Sequence, residues 1–192
     1  MRFESNEALA EYFWEHPELK SFELKHCSGV TRLPRLPGSL LDLVIYNCPG
    51  VTSLPQLPSS LTELGIADCP GVTSLPQLPG SLNCLWVDKC PGITGRLQLP
   101  SLLTIFQVKN CSGITCLPHL PSSLIDLEVD NCPGITILPQ LPSLLVYLYV
   151  RNCPEVTSLP QLPSSLSRLQ VDNCPGITAR GVMVDKLRIE IR

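Results

Sequence analysis

Ten cysteines in 192 residues are the side chains with the most chemistry open to them, as metal ligands, disulfide partners or nucleophiles. Eight of them, Cys27, Cys48, Cys69, Cys90, Cys111, Cys132, Cys153 and Cys174, recur every 21 residues without a slip. That regularity belongs to a structural period rather than to a disulfide framework. Stacked strands repeat at ~4.8 Å, whereas a disulfide needs Cβ atoms roughly 3.5–4.5 Å apart, so each cysteine has two equivalent neighbours and an ideal bridge to neither. The column therefore reads as inward packing, and it favours a reducing compartment in which adjacent thiols stay free. Cys84 and Cys116 stand off the column. Neither has a histidine placed to activate it, since His119 lies three residues beyond Cys116 and His16 and His26 are far away in the chain. Asp126 and Glu128 alternate along one predicted strand face about 7 Å apart, a separation compatible with glycoside hydrolysis. No walled pocket is in prospect to desolvate them, and both are expected to be solvated on an open sheet. The reading is of a non-enzymatic chain with no catalytic residue, metal ligand or cofactor.

The elements that position these side chains follow from the period. With Leu40 as position 1, the unit reads Leu-x-x-Leu-x-Ile/Val-x-Asn-Cys-Pro-Gly-Val/Ile-Thr-x-Leu-Pro-x-Leu-Pro-Ser-Ser; full copies begin at Leu19, Leu40, Leu61, Leu82, Leu103, Leu124 and Leu145, and a shortened one at Leu166. Positions 3 to 7 alternate, as in Asp42-Leu43-Val44-Ile45-Tyr46, which predicts one half-buried strand per copy. The return, Cys48 to Pro58, cannot be helical, because Pro55 and Pro58 each remove a donor and hold the preceding residue extended. It is expected to form a polyproline-like wall. Of the 20 prolines, 19 fall at positions 10, 16 or 19. Neither segment can bury its leucines alone, so the copies must stack, with a parallel sheet on one side and a core built from positions 1, 4, 6, 12, 15 and 18.

The Leu-x-x-Leu-x-Leu-x-x-Asn/Cys-x-Leu pattern in every copy, with Phe22 and Phe106 at position 4, resembles the leucine-rich repeats. The resemblance implies an α/β repeat solenoid, an arc with the sheet on its concave face. The 21-residue length and the Leu-Pro-x-Leu-Pro return are similar to the short bacterial type found in effectors injected into host cells. The Cys at position 9, where that type usually has Asn, also resembles the cysteine-type repeats of F-box proteins and plant immune receptors. Such effectors often carry a ubiquitin-ligase domain with a Cys-x-Asp nucleophile; no cysteine here is followed two residues later by Asp, so that activity is not carried over.

Both ends of an open stack need covering. Residues 1–18 are expected to form a helical cap, with Asn6 capping a helix from about Glu7 to His16 and Leu9, Tyr12, Phe13 and Trp14 turned to the first repeat. Residues 19–183 then hold eight repeats and 184–192 a capping strand, in which Val184, Leu187 and Ile189 restate positions 1, 4 and 6 after 18 residues instead of 21. Asp185, Lys186, Arg188, Glu190 and Arg192 would protect that edge. A net charge of −3 offers nothing to nucleic acid. No stretch approaches the ~18 apolar residues of a membrane span, and the acidic start lacks the basic end of a cleaved signal. The chain is expected in the cytoplasm, or by resemblance in a host cytoplasm reached without a cleavable signal.

Outward positions 3, 5 and 7 are the ones the fold leaves free. Outside the cap all four Trp and Tyr residues fall there: Tyr46, Trp86, Tyr147 and Tyr149. The expected protein-binding face adds Asp42, Val44, Glu63, Asp88, Ile105, Gln107, Lys109, Asp126, Glu128, Asp130, Arg151 and Arg168. Gly65 and Ala67 would leave a shallow trough between Tyr46 and Trp86, and the acidic stripe Asp126, Glu128, Asp130 would meet a basic patch on the partner. The expectation is a monomer that binds a protein, the alternative a self-assembling scaffold.

Overall fold

The computed structural model describes residues 3–94, 97–177 and 188–191. A helix α1 (Asn6–Glu15) precedes nine strands: β1 (Ser21–Lys25), β2 (Asp42–Tyr46), β3 (Glu63–Ala67), β4 (Cys84–Asp88), β5 (Ile105–Lys109), β6 (Asp126–Asp130), β7 (Tyr147–Arg151), β8 (Arg168–Asp172) and β9 (Arg188–Ile191). They form one parallel sheet in sequential order. Each residue of β1 to β7 pairs with the residue 21 positions on, as Asp42 with Glu63 and Tyr46 with Ala67. The 21-residue period is thus the strand-to-strand register, and each copy sets its outward residues directly beside the same positions of its neighbours.

Positions 4 and 6 of the strands are buried, and positions 1, 9 and 12 close the core beneath them: Leu40, Leu43, Ile45, Cys48 and Val51 are all fully buried. On the return side Leu33, Leu54, Leu117 and Leu138 at position 15, and Leu36, Leu57, Leu120 and Leu141 at position 18, complete it. Among the described residues the returns contain no helix, in keeping with their prolines. The turn after each strand from β2 to β8 is closed by a bond such as Val51 N–H to Cys48 C=O, 3.1 Å. Glycine at position 11 of that turn meets a steric demand: a Cβ on Gly50 would lie 2.9 Å from the carbonyl oxygens of Ser28 and Val30 in the preceding copy.

The cap departs from expectation by one residue. Ser5 is the N-cap, its hydroxyl accepting from Ala8 N–H at 3.3 Å. Asn6 instead ties the helix to the first return, its Oδ1 accepting from Thr31 N–H and Arg32 N–H at 2.9 and 3.2 Å. Leu9 and Phe13 are buried and Tyr12 packs against the core, but Trp14 points to solvent and is 87% exposed. A helix turned to the repeats through residues 9 and 13 has its 14th residue 100° from the latter, off the buried stripe.

At the other end β9 closes the sheet, with a different register. Ile189 stands opposite Leu169 and Ile191 opposite Val171, so these residues, and not Leu187 and Ile189, occupy positions 4 and 6. The interval is 20 residues rather than 18. A slip of two residues keeps every side chain on its own face, so the alternation of apolar residues alone does not distinguish the registers. Val184, Asp185, Lys186, Leu187 and Arg192 lie outside the described residues. No helix among the described residues is long and apolar enough to cross a membrane.

Candidate functional site

The cysteine column is set at the exit of each strand, where the chain turns inward. The thiols of Cys27 to Cys174 in the column each donate to the carbonyl two residues back at 3.1–3.4 Å. From Cys48 onward each also approaches a carbonyl of the preceding strand, 24 residues back, at 3.6–3.9 Å. A thiol beside two carbonyl oxygens and no cation is kept protonated. Burial pushes Cys48 and Cys153 up to about 11 and Cys90 and Cys132 up to about 12. Such groups are poor metal ligands and poor nucleophiles, since both roles need the thiolate. All ten cysteines are free, and among the described residues no group of three or more His, Cys, Asp or Glu side chains is arranged to hold a metal ion.

The sixteen predicted face residues fall in three outward rows. Asp42, Glu63, Ile105, Asp126, Tyr147 and Arg168 form the row at position 3, Val44, Trp86, Gln107, Glu128 and Tyr149 that at position 5, and Tyr46, Asp88, Lys109, Asp130 and Arg151 that at position 7. Tyr46 is 38% exposed and meets the His26 ring edge-on at 5.4 Å. Tyr147 is 39% exposed. Tyr149 lies between two guanidinium groups, those of Arg151 at 5.7 Å and Arg168 at 5.5 Å from its ring centroid. Trp86 does not border an open trough. Its indole lies over Gly65, in register on the next strand: a Cβ on Gly65 would fall 2.0 Å from Trp86 Cζ2. The missing side chain of Gly65 makes a seat for the ring, and the half-buried indole fills the hollow the small residues create.

The acidic stripe is likewise not open. Glu128 is buried, 7% exposed, with Lys109 Nζ 2.7 Å from its Oε2 and an Arg151 guanidinium nitrogen against its Oε1. Arg151 Nε also stands 3.4 Å from Asp130, which accepts from Asn152 Nδ2 at 2.8 Å. Lys109 and Arg151 occupy position 7 of the strands on either side and reach diagonally across one strand spacing. Glu128 is therefore neutralised from both sides by the chain itself, correcting the expectation of a solvated pair with Asp126. Asp126 has one oxygen, Oδ1, buried with no hydrogen-bond partner. Burial raises its carboxyl above the ordinary value, with Lys109 opposing.

Position 8 is left-handed in every copy, with φ between 50° and 54° at His26, Asn47, Asp68, Lys89, Asn110, Asn131, Asn152 and Asn173. Asn is the non-glycine residue best suited to that region, and its recurrence before Cys is the signal. These side chains also link successive copies, as Asn131 Nδ2 donates to Asn110 Oδ1 at 2.7 Å and Asn173 Nδ2 to Asn152 Oδ1 at 2.9 Å.

No family model matches the chain, and no curated protein matches it. Among solved structures, YopM from Yersinia enterocolitica WA-314 superposes with a TM-score of 0.57 at 23% identity, over 91% of this chain and 42% of that one. YopM from Yersinia pestis, described as a leucine-rich effector protein, gives 0.41 at 21% identity, over 97% of this chain and 67% of that one. The chain spans less than half the length of the first of these. At this identity the likeness speaks to fold, and with the parallel sheet, the proline-rich returns and the 21-residue register the chain is a leucine-rich-repeat solenoid with its sheet on the concave face.

Proposed function

We propose that the chain is a non-enzymatic protein-interaction module that binds its partner through the concave sheet. The observation that carries this reading is the placement of the aromatics: Tyr46 and Tyr147 stand more than a third exposed on a face that also presents Trp86 and Tyr149, while the returns hold no Tyr or Trp. Large amphipathic rings held on a rigid sheet supply contact area at low entropic cost. The basic complement expected of the partner faces Asp42 and Glu63, since Glu128 and Asp130 already have their own cations and, among the described residues, no cation stands within ion-pair distance of the former two. The resemblance to bacterial effector repeats supports a host protein as that partner and a host cytoplasm as the place of action.

Affinity capture from eukaryotic cell lysate with the whole chain as bait tests the reading. Capture of a discrete protein, with recovery reduced at least tenfold by Tyr46→Ala/Trp86→Ala or by Tyr147→Ala/Tyr149→Ala, is the expected result. Undiminished recovery with both folded variants would remove the concave face from the interface.

A further inference from the structure

The turns entering the strands carry one ladder of hydroxyl groups at position 21 and a second, partial one at position 2. At position 21, Ser39, Ser60, Ser81, Ser123 and Ser165 each donate to the carbonyl twenty residues back, at 2.6–2.9 Å. At position 2, Thr62, Thr104 and Ser167 donate to the carbonyl 21 residues back, at 3.0–3.3 Å. The first ladder is interrupted on the approach to β5 and to β7, and on the approach to β6 position 2 carries no hydroxyl. Leu102 and Leu144 take the place of serine at position 21 and are 59% and 57% exposed, and Ile125 stands at position 2, 40% exposed. A leucine there forfeits the hydroxyl bond and leaves a large apolar side chain in water, so folding gives no reason for it.

Single exposed leucines are ordinary, but these three are adjacent. Leu102 and Leu144 are two repeats apart, ~10 Å at the strand spacing, with Ile125 on the repeat between them. Tyr147, at the start of β7, continues the apolar strip onto the concave face, and its register partner on the next strand is Arg168. Among the described residues no carboxylate lies within ion-pair distance of Arg168, whose guanidinium rests over the Tyr149 ring. The strip therefore ends in a guanidinium group.

We infer that this rim, Leu102, Ile125, Leu144 and Tyr147 with Arg168 at its end, is a docking site for an acidic amphipathic helix of a partner protein. Residues i and i+7 of a helix are about 10.5 Å apart along its axis, matching the Leu102–Leu144 interval, with i+3 or i+4 falling over Ile125. A carboxylate one turn farther on meets Arg168. The proposal rests on the chain being a protein-interaction module, and it extends the concave row at Tyr147 and Arg168 onto the rim and gives that surface a ligand class.

The test uses a phage-displayed library of helix-forming peptides panned on the whole chain. Enriched peptides are expected to carry apolar residues at i, i+3 or i+4, and i+7, with Asp or Glu beyond. Leu102→Ser/Leu144→Ser, which restores the residue of the other copies, is expected to weaken the best peptide at least tenfold with the melting temperature unchanged or raised. Arg168→Gln is expected to abolish the preference for the acidic residue. Absence of enrichment, enrichment without an acidic preference, or binding that survives Leu102→Ser/Leu144→Ser overturns the proposal. So does a concentration-dependent dimer in light scattering that the same double variant dissolves, which would give the rim to a second copy. Peptide binding lost in Tyr46→Ala/Trp86→Ala but kept in the rim variant overturns the rim alone. Lysate capture insensitive to both aromatic pairs, with peptide binding sensitive to the rim, overturns only the concave reading.

Discussion

Alkylation of the native chain with iodoacetamide at pH 8, followed by mass spectrometry of its peptides, separates structural thiols from reactive ones. A thiol at its ordinary value of 9.0 is about one-tenth thiolate at pH 8, whereas one at about 12, as for Cys90 and Cys132, is about one ten-thousandth. The reactive form is thus about a thousandfold scarcer before access is considered, and both side chains are fully buried. Cys84, half-buried and pushed up to about 11, is about a hundredfold down. Because a raised thiol value suppresses thiolate until pH approaches it, this protection holds at any pH below about 10 while the chain is folded. Cys116 is exposed on the convex wall. The expected order is Cys116 first, Cys84 at least a hundredfold later, and the eight column cysteines only on unfolding. A column cysteine labelled at the rate of Cys116, or disulfides between column neighbours recovered from the native chain, would refute the reasoning.

Glu128→Ala strands Lys109, 33% exposed, and leaves Arg151, 28% exposed, with Asp130 alone, and is expected to cost about 1–3 kcal/mol in urea unfolding; a loss within error would show that the pairs with Glu128 contribute nothing. Gly65→Ala pushes the Trp86 indole from its seat at little cost in stability, because the ring is the far end of a mobile side chain; in a Trp14→Phe background, fluorescence emission is expected to shift to the red, and an unchanged spectrum would contradict the stacking. Lys89→Asn replaces a long side chain at φ 50° with the residue that five other copies use there and is expected to raise the urea midpoint by the equivalent of about 0.5–1 kcal/mol, whereas a lowered midpoint would argue against backbone strain at that position.

What the sequence disclosed follows from the physics of each feature. Strand positions, register and core came from strict recurrence: Leu43, Ile45, Cys48 and Val51 repeat every 21 residues, and a repeat can bury them only by stacking. The same recurrence showed the cysteines to be packing. Interactions between copies are harder to read, because the sequence orders outward residues along each strand while the sheet pairs side chains across strands. Lys109, Glu128 and Arg151 lie about twenty residues apart in the chain but one strand spacing apart in space. Trp86 over Gly65 has the same cause, a long side chain reaching into a vacancy one copy back. The register of β9 was ambiguous in principle, since alternation has period two. The N-cap expected at Asn6 falls on Ser5, which is equally a capping residue, because Asn6 is engaged by Thr31 and Arg32 of the first return, a contact that local sequence does not show. The charges on the concave face were legible as residues but not as pairs.

The central claim, that the concave sheet is the binding face, is tested most directly by hydroxyl-radical footprinting of the chain alone and in complex with its captured partner. Trp14, 87% exposed on the cap, is the internal reference. Oxidation of Tyr46, Trp86 and Tyr147 is predicted to fall several-fold on binding while that of Trp14 stays the same. Unchanged oxidation at all three would contradict the account, as would protection confined to Trp14 and the convex wall.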